Sequence, residues 1–336
     1  MNKNTPAMMP LAANWALTVR CNFNCNHCYS RTDSSPELAL KEIKVIVDKL
    51  VRSRVLFVNF GGGEPLLRKD LFEIANYAKR RGLHISMNSN GSLITKAAAK
   101  NIKESGFRQV GISMDSHLSG IHDKFRNAPG SHKKAIAAIG RLKKAGIEVS
   151  VSSVICKINH TNFEKIIALA KKLKVNKINL HNYKCGGREF ANRDNLDLSP
   201  EEWRDFYGKV LEIKSREKEM DISLDDPIIA SLKNTENKSL VQGSICGKLS
   251  FYIKSNGDMT PCGFIPTKIG NILTDSFKEA WESSPILHTM RNKEPKGKCK
   301  KCKFFTSCIG GCTARAYAIS GDFNSPDPHC WYEPKN

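Results

Sequence analysis

The chain has 336 residues, 40% of them hydrophobic and 26% charged, which excludes a disordered protein. Twelve cysteines in a chain this long exclude a small secreted disulfide scaffold, and no run of about 18 apolar residues is present to form a transmembrane helix. Lys and Arg number 53 against 33 Asp and Glu, a formal charge of +20, so a partner attracted by charge is anionic.

Residues Met8–Val19 follow Lys3 and are mildly apolar, as in the core of a signal peptide. Asn14 interrupts them, Arg20 and Cys21 follow directly, and the alternation of Trp15, Leu17 and Val19 fits a strand better. The expected location is therefore the cytosol (cytoplasmic), where thiols stay reduced and clustered cysteines bind metal. Strands are predicted at Trp15–Arg20, Val55–Phe60, His84–Asn88, Gln109–Met114, Glu148–Ile155 and Lys177–Asn182. Helices are predicted between them, near Leu38–Arg52, Lys69–Arg81, Thr95–Ser105, His132–Ala145 and Thr161–Leu173, from apolar residues at three- and four-residue spacing. Alternating strands and helices imply an α/β fold with a parallel sheet. Six such units fall short of the eight that close a full barrel, so an open, partial (βα)6 barrel is expected, with functional residues in the loops after the strands.

Beyond Asn182 the pattern changes. Ser199–Lys214 reads as a helix opened by Ser199-Pro200-Glu201-Glu202. From Cys246 the chain is rich in Cys, Gly and Pro, and Leu249–Lys254 and Asp258–Pro261 flank Asn256-Gly257, a hairpin signal. The expected organisation is an N-terminal segment 1–13, a barrel 14–220, a linker 221–245 and a Cys-rich domain 246–336 held by something other than a large core.

Cys21, Cys25 and Cys28 place three thiols at the end of the first strand. A closed zinc site takes four ligands, whereas three thiols in one loop suit a [4Fe–4S] cluster with one iron open to a small molecule. This C-x₃-C-x₂-C motif resembles that of the radical S-adenosylmethionine (SAM) enzymes, and the resemblance implies the rest of the site. In that family the open iron binds SAM, and one electron from the cluster yields a 5′-deoxyadenosyl radical that abstracts a substrate hydrogen. His27, before the third cysteine, stands where the family often has another aromatic ring and is expected along the adenine. Gly61-Gly62-Gly63-Glu64-Pro65 looks like the family's GGEP motif, whose backbone approaches the SAM amino group; a Cβ would block that approach. Ser113 and Asp115 are expected near the ribose by the same resemblance. His122-Asp-Lys-Phe-Arg126 resembles the segment whose arginine pairs with the SAM carboxylate, a geometry suited to a guanidinium fork. His122 and Asp123 are expected to be structural, and Ser89-Asn90-Gly91 to turn near the site.

Seven cysteines follow at Cys246, Cys262, Cys299, Cys302, Cys308, Cys312 and Cys330. Their order resembles the SPASM domain, which carries two auxiliary [4Fe–4S] clusters; a pair of zinc ribbons is the alternative. By position, the resemblance assigns Cys246, Cys262 and Cys312 to the first auxiliary cluster and Cys299, Cys302, Cys308 and Cys330 to the second. Three clusters and SAM are thus the implied cofactors. Enzymes of this type mostly modify ribosomally made peptides, by crosslinks, thioethers, cyclopropanes or epimerisation. A peptide substrate is therefore the first expectation. With Cys21 so early, a leader-binding domain does not fit before it, and a separate leader-binding protein could supply that function. An electron donor such as flavodoxin or ferredoxin is implied as well.

The alternatives are a haem-precursor tetrapyrrole as substrate, with side-chain decarboxylation, and a non-catalytic iron–sulfur carrier or scaffold. Gly263 after Cys262 argues against sulfatase activation, since those members commonly place an acid there. Neither nucleic acid nor a membrane is expected as partner, because Lys and Arg are spread over many helices without a basic–aromatic motif. Cys156 and Cys185, after strands five and six, remain; a thiol there could return a hydrogen atom to a substrate radical, with Cys185 the candidate catalytic residue and a buried small hydrophobe the plainer reading. Tyr183 is a further candidate by position.

Overall fold

The computed structural model describes residues 8–32, 34–185, 193–232 and 242–334, so parts of the expected N-terminal segment and linker lie outside the described residues. Strands β1 (Ala12–Thr18), β2 (Phe57–Gly62), β3 (His84–Ser89), β4 (Gln109–Ser113), β5 (Glu148–Ile155) and β6 (Lys177–Asn182) lie side by side, each parallel to the next. β1 ends before Arg20, because the Arg20 N–H turns back to Thr18 Oγ1 at 3.0 Å. Helices α1 (Leu40–Arg52), α2 (Leu71–Arg80), α3 (Lys96–Glu104), α5 (Ser131–Lys144) and α6 (Phe163–Lys172) link the strands. Their apolar stripes are buried, as with Ile43, Ile46, Val47 and Leu50 of α1.

A short helix α4 (Ser119–Arg126) was not expected; it buries only His122 and Phe125, too few positions for a visible period. After α7 (Arg193–Leu196), α8 (Pro200–Arg216) starts with a capping box in which Ser199 and Glu202 exchange hydrogen bonds. The span expected as linker contains a strand, β7 (Asp221–Ser223), parallel to β6. Three residues are too few for alternation to be read.

The hairpin at Asn256-Gly257 is present as β8 (Ser250–Ile253) and β9 (Asp258–Thr260), and Gly257 turns with a φ of 84°. β10 (Gly270–Asn271) pairs with β9. β8 then pairs in parallel with β1, Ala12 opposite Ser250 through Trp15 opposite Ile253, so a single ten-stranded sheet runs β10-β9-β8-β1-β2-β3-β4-β5-β6-β7. The Cys-rich segment therefore shares the main core. Phe251, Ile253, Phe277 and Trp281 of α9 (Phe277–Ser283), and Leu287 of α10 (Pro285–Arg291) all join it. The expectation of a segment without a large core is corrected here. The cross-sheet pairing that supplies the core joins residues more than two hundred positions apart. Two short helices, α11 (Phe305–Cys308) and α12 (Thr313–Ser320), complete the chain.

Candidate active site

The parallel strands bring the loops after β1, β2, β3, β4, β5 and β6 to one end of the sheet. The loop with Cys21, Cys25 and Cys28 is held from two sides. The Asn26 N–H donates to Phe125 O at 3.2 Å and its side-chain amide to Lys124 O at 3.3 Å, at the end of α4. The Asn90 amide donates to Asn22 Oδ1 at 2.9 Å, from the turn after β3. The three cysteines are partly accessible and in no disulfide.

The glycine run shows which positions are open. A Cβ on Gly62 would lie 2.3 Å from Thr18 O, and one on Gly63 would lie 2.0 Å from Arg20 O. These two glycines are required by the backbone of the cysteine loop, since the Gly63 N–H donates to Thr18 O at 2.8 Å and the Glu64 N–H to Arg20 O at 2.9 Å. A Cβ on Gly61 would meet nothing within 4 Å. Of these three glycines Gly61 faces open space, while the cysteine-loop backbone is itself a reason for glycine at Gly62 and Gly63. Glu64 is buried and turned away from that space. It accepts from Ser89 Oγ at 2.9 Å, the Asn90 N–H at 2.8 Å and the Leu66 N–H at 3.3 Å. Burial lifts its carboxyl to about 7 against the pull of those donors. Pro65 opens the short turn that follows. Arg68, which the sequence reading passed over, is buried and donates to Leu17 O at 2.8 Å and Leu38 O at 2.7 Å, tying β1 to the approach of α1.

Asp115 and Arg126 meet beside the cysteine loop. Arg126 Nε donates to Asp115 Oδ2 at 2.6 Å, and its Nη1 lies 4.0 Å from Cys25 Sγ. Asp115 Oδ1 accepts the Val154 N–H at 3.0 Å, so both carboxylate oxygens are engaged. Burial opposes the charge on Asp115, but Arg126 and the neighbouring histidines outweigh it and hold the carboxyl near 2. His27 stacks on Phe125 with ring centroids 3.9 Å apart and planes 15° from parallel. Its Nδ1 is buried without a hydrogen-bond partner, and burial, then Arg126, holds the ring neutral, with its pKa at about 3. His122 accepts the Asp115 N–H at 3.1 Å, and Asp123 caps α5 through the Gly130 and His132 N–H groups at 2.6 and 2.8 Å. Both side chains are thus engaged in hydrogen bonds within the fold. Ser113 ends β4 beside Ser152 of β5.

The later cysteines form two groups. The Cys246 and Cys262 thiols are close enough to shift one another, Cys246 down to about 7 and Cys262 up. Cys312 lies within electrostatic range of Cys262, and its N–H donates to Asp327 Oδ2 at 2.6 Å. Cys299, Cys302, Cys308 and Cys330 together line one cavity with Phe304, Phe305 and Tyr332. Among the described residues, no three Cys, His, Asp or Glu stand close enough to share a single ion. A cavity ringed by four thiols that do not converge on one point fits a group larger than one ion, such as an iron–sulfur cluster, better than zinc. Cys156 and Cys185 stand apart from both groups and are buried. Burial, then Asp197, pushes the Cys185 thiol up to about 11. Tyr183 is fully buried.

Comparison with known proteins agrees with this arrangement. Residues 15–173 match the radical SAM superfamily model, and residues 246–303 match that of the SPASM iron–sulfur cluster-binding domain. The chain is 30% identical over 342 residues to an AdoMet-dependent heme synthase of Methanosarcina barkeri, covering 95% of this chain and 96% of the relative. It is 29% identical to a mycofactocin maturase of Mycolicibacterium smegmatis, covering 96% and 82%. The fold matches Streptococcus suis SuiB bound to its precursor peptide, with a TM-score of 0.80 at 17% identity over 97% of this chain and 77% of that one. It also matches AdoMet-bound anSMEcpe, with a TM-score of 0.78 at 22% identity over 96% and 94%. A full-length relative at this identity, two domain matches and the clustered cysteines lead to one conclusion: the chain belongs to the radical SAM superfamily, as an enzyme with a SPASM domain that uses iron–sulfur clusters and SAM.

Proposed function

We propose that the enzyme acts on a substrate carrying several carboxylates, and that this substrate is a haem-precursor tetrapyrrole whose side chains it decarboxylates. The observation that carries this reading is the likeness to a heme synthase over nearly the whole of both chains. The charge of +20 supports it, because an anionic macrocycle is drawn to a basic protein. A ribosomally made peptide is the second reading, supported by the likeness to mycofactocin maturases. In that case a separate leader-binding protein is a further partner.

In this proposal Cys21, Cys25 and Cys28 hold the SAM cluster, Cys246, Cys262 and Cys312 the first auxiliary cluster, and Cys299, Cys302, Cys308 and Cys330 the second. When bound, the SAM cluster supplies the electron that opens SAM to a 5′-deoxyadenosyl radical. Arg126, fixed at Nε by Asp115, is assigned the SAM carboxylate, and Asp115 acts by holding it. The open side of Gly61 is assigned to the SAM amino group, and Gly62, Gly63, Glu64 and Pro65 shape that loop. His27, whose Nδ1 has no hydrogen-bond partner, is assigned the adenine, and Ser113 the ribose. Cys185 remains protonated, the form able to give a hydrogen atom.

Anaerobic reconstitution tests the base of this reading, with about 12 iron atoms per chain expected from three four-iron clusters. The loaded enzyme is then given SAM, a chemical reductant and either a propionate-bearing iron porphyrin or candidate precursor peptides. Deoxyadenosine together with a porphyrin that has lost carboxylates supports the first reading. Turnover of a peptide alone replaces it with the second. Two bound zinc ions and no cleavage of SAM would overturn both.

A further inference from the structure

The segment Lys293–Lys303 holds six lysines and one acid, Glu294, and encloses Cys299 and Cys302. Lys293 is buried, its ammonium donating to Gly310 O at 3.3 Å. Lys296 pairs with Asp322 at 2.5 Å, and Lys298 pairs with Glu333 at 2.8 Å while also donating to Cys330 O at 2.6 Å. Lys300, Lys301 and Lys303 are exposed, and none of them is ion-paired among the described residues. Lys303 lies over the ring of Phe304, 5.1 Å from its centroid, and Phe304 lines the cavity with Cys299, Cys302, Cys308 and Cys330; three cations without an acidic partner thus sit on the segment that borders this cavity, and Cys302 itself is partly accessible. The basic end of α5 lacks this coincidence. At the end of α5, Lys143 is spent on the carbonyls of Leu173 and Lys174, on a helix that carries no cysteine.

We propose that the Lys300, Lys301 and Lys303 face is the docking surface for an acidic one-electron carrier protein, through which electrons enter at the second auxiliary cluster. The inference rests on the iron–sulfur reading of these four cysteines. A redox group near the surface transfers electrons only to a carrier brought close to it, and a single-sign patch around it selects and orients a carrier of opposite charge. The step is a transfer of one electron. The flavin hydroquinone anion of a flavodoxin becomes the neutral semiquinone, the oxidised cluster gains that electron, and no proton moves. An acidic leader peptide is the competing occupant, and a lysine cover beside a redox cavity favours the carrier.

The test uses the reconstituted full-length protein. In the unaltered protein, zero-length carbodiimide crosslinking to an acidic flavodoxin, read by peptide mass spectrometry, is expected to join its carboxylates to Lys300, Lys301 or Lys303. Crosslinks confined to lysines elsewhere overturn the proposal. In K300E/K301E/K303E, with iron content matching the parent, the second-order rate of reduction by flavodoxin hydroquinone is expected to fall about tenfold or more at low salt. The difference should close as salt rises. Reduction by the methyl viologen radical cation should not be slowed. An unchanged flavodoxin rate and salt slope overturn the proposal, whereas a parent protein that binds no iron or is not reduced by methyl viologen overturns the iron–sulfur reading instead. Should the triple variant fail to load iron, K300Q/K301Q/K303Q carries the same measurement.

Discussion

Arg315 of α12 is wholly buried and grips Asp226, which follows β7, with two hydrogen bonds of 2.8 and 2.9 Å. The same guanidinium donates to Asp327 at 2.9 and 2.5 Å. Asp226 also accepts from Tyr207 Oη at 2.7 Å and from the Asn182 amide at the end of β6. Asp327 receives the Cys312 N–H, and the Cys330 N–H donates to Asp327 O at 3.0 Å. One cation thereby ties the segments of both auxiliary cysteine groups to the end of the barrel sheet.

Arg315→Met should therefore leave two buried carboxylates without their cation. A loss of about 3 to 5 kcal/mol is expected, read from anaerobic denaturant unfolding. A change under 1 kcal/mol, about the worth of a surface pair, would show that the network is not a structural tie.

Gly63→Ala and Gly61→Ala should separate structure from ligand binding. The first drives a methyl group into Arg20 O and is expected to displace the cysteine loop, with iron lost on reconstitution. The second meets open space, so iron loading should match the parent while SAM binding, measured by equilibrium dialysis, weakens. Equal iron loss in both variants would contradict this division.

Glu64 predicts a pH dependence. Its folded pKa of about 7 lies above the unfolded value near 4.5, so the unfolded chain ionises first. Stability from this group is full below about pH 4.5 and is lost as pH rises through 7, by about 3 kcal/mol at most. The difference in unfolding free energy between the parent and Glu64→Gln should shrink or reverse over that window. A constant difference from pH 4.5 to 7 would show that Glu64 does not titrate there.

Cys330→Ala and Cys185→Ala should differ in iron content. The first is expected to lose about four iron atoms per chain and the second none, measured by elemental analysis. Cys185→Ala should still form deoxyadenosine. Deuterium entering the product from heavy water in the parent but not in this variant would identify Cys185 as a hydrogen donor.

Much of this protein was legible in its sequence, because the relevant signals are local. Strand and helix periods are set by neighbouring residues, which is why β2 to β6 and their linking helices lie where alternation and helical spacing put them. The cysteine spacing is likewise a property of short loops, and its likeness to the radical SAM and SPASM motifs is matched by the family comparisons. Only the tertiary structure decided what joins distant segments. The pairing of β8 with β1, the core shared by the Cys-rich segment, and the burial of Arg315 between Asp226 and Asp327 each depend on partners far apart in the chain. The roles within the glycine run needed it too: Gly62 and Gly63 are held by the backbone of another strand end, while Gly61 alone is left facing space. Spacing along a chain reports which residues share a loop or a face, whereas close approach and desolvation exist only once the fold has brought separate elements together.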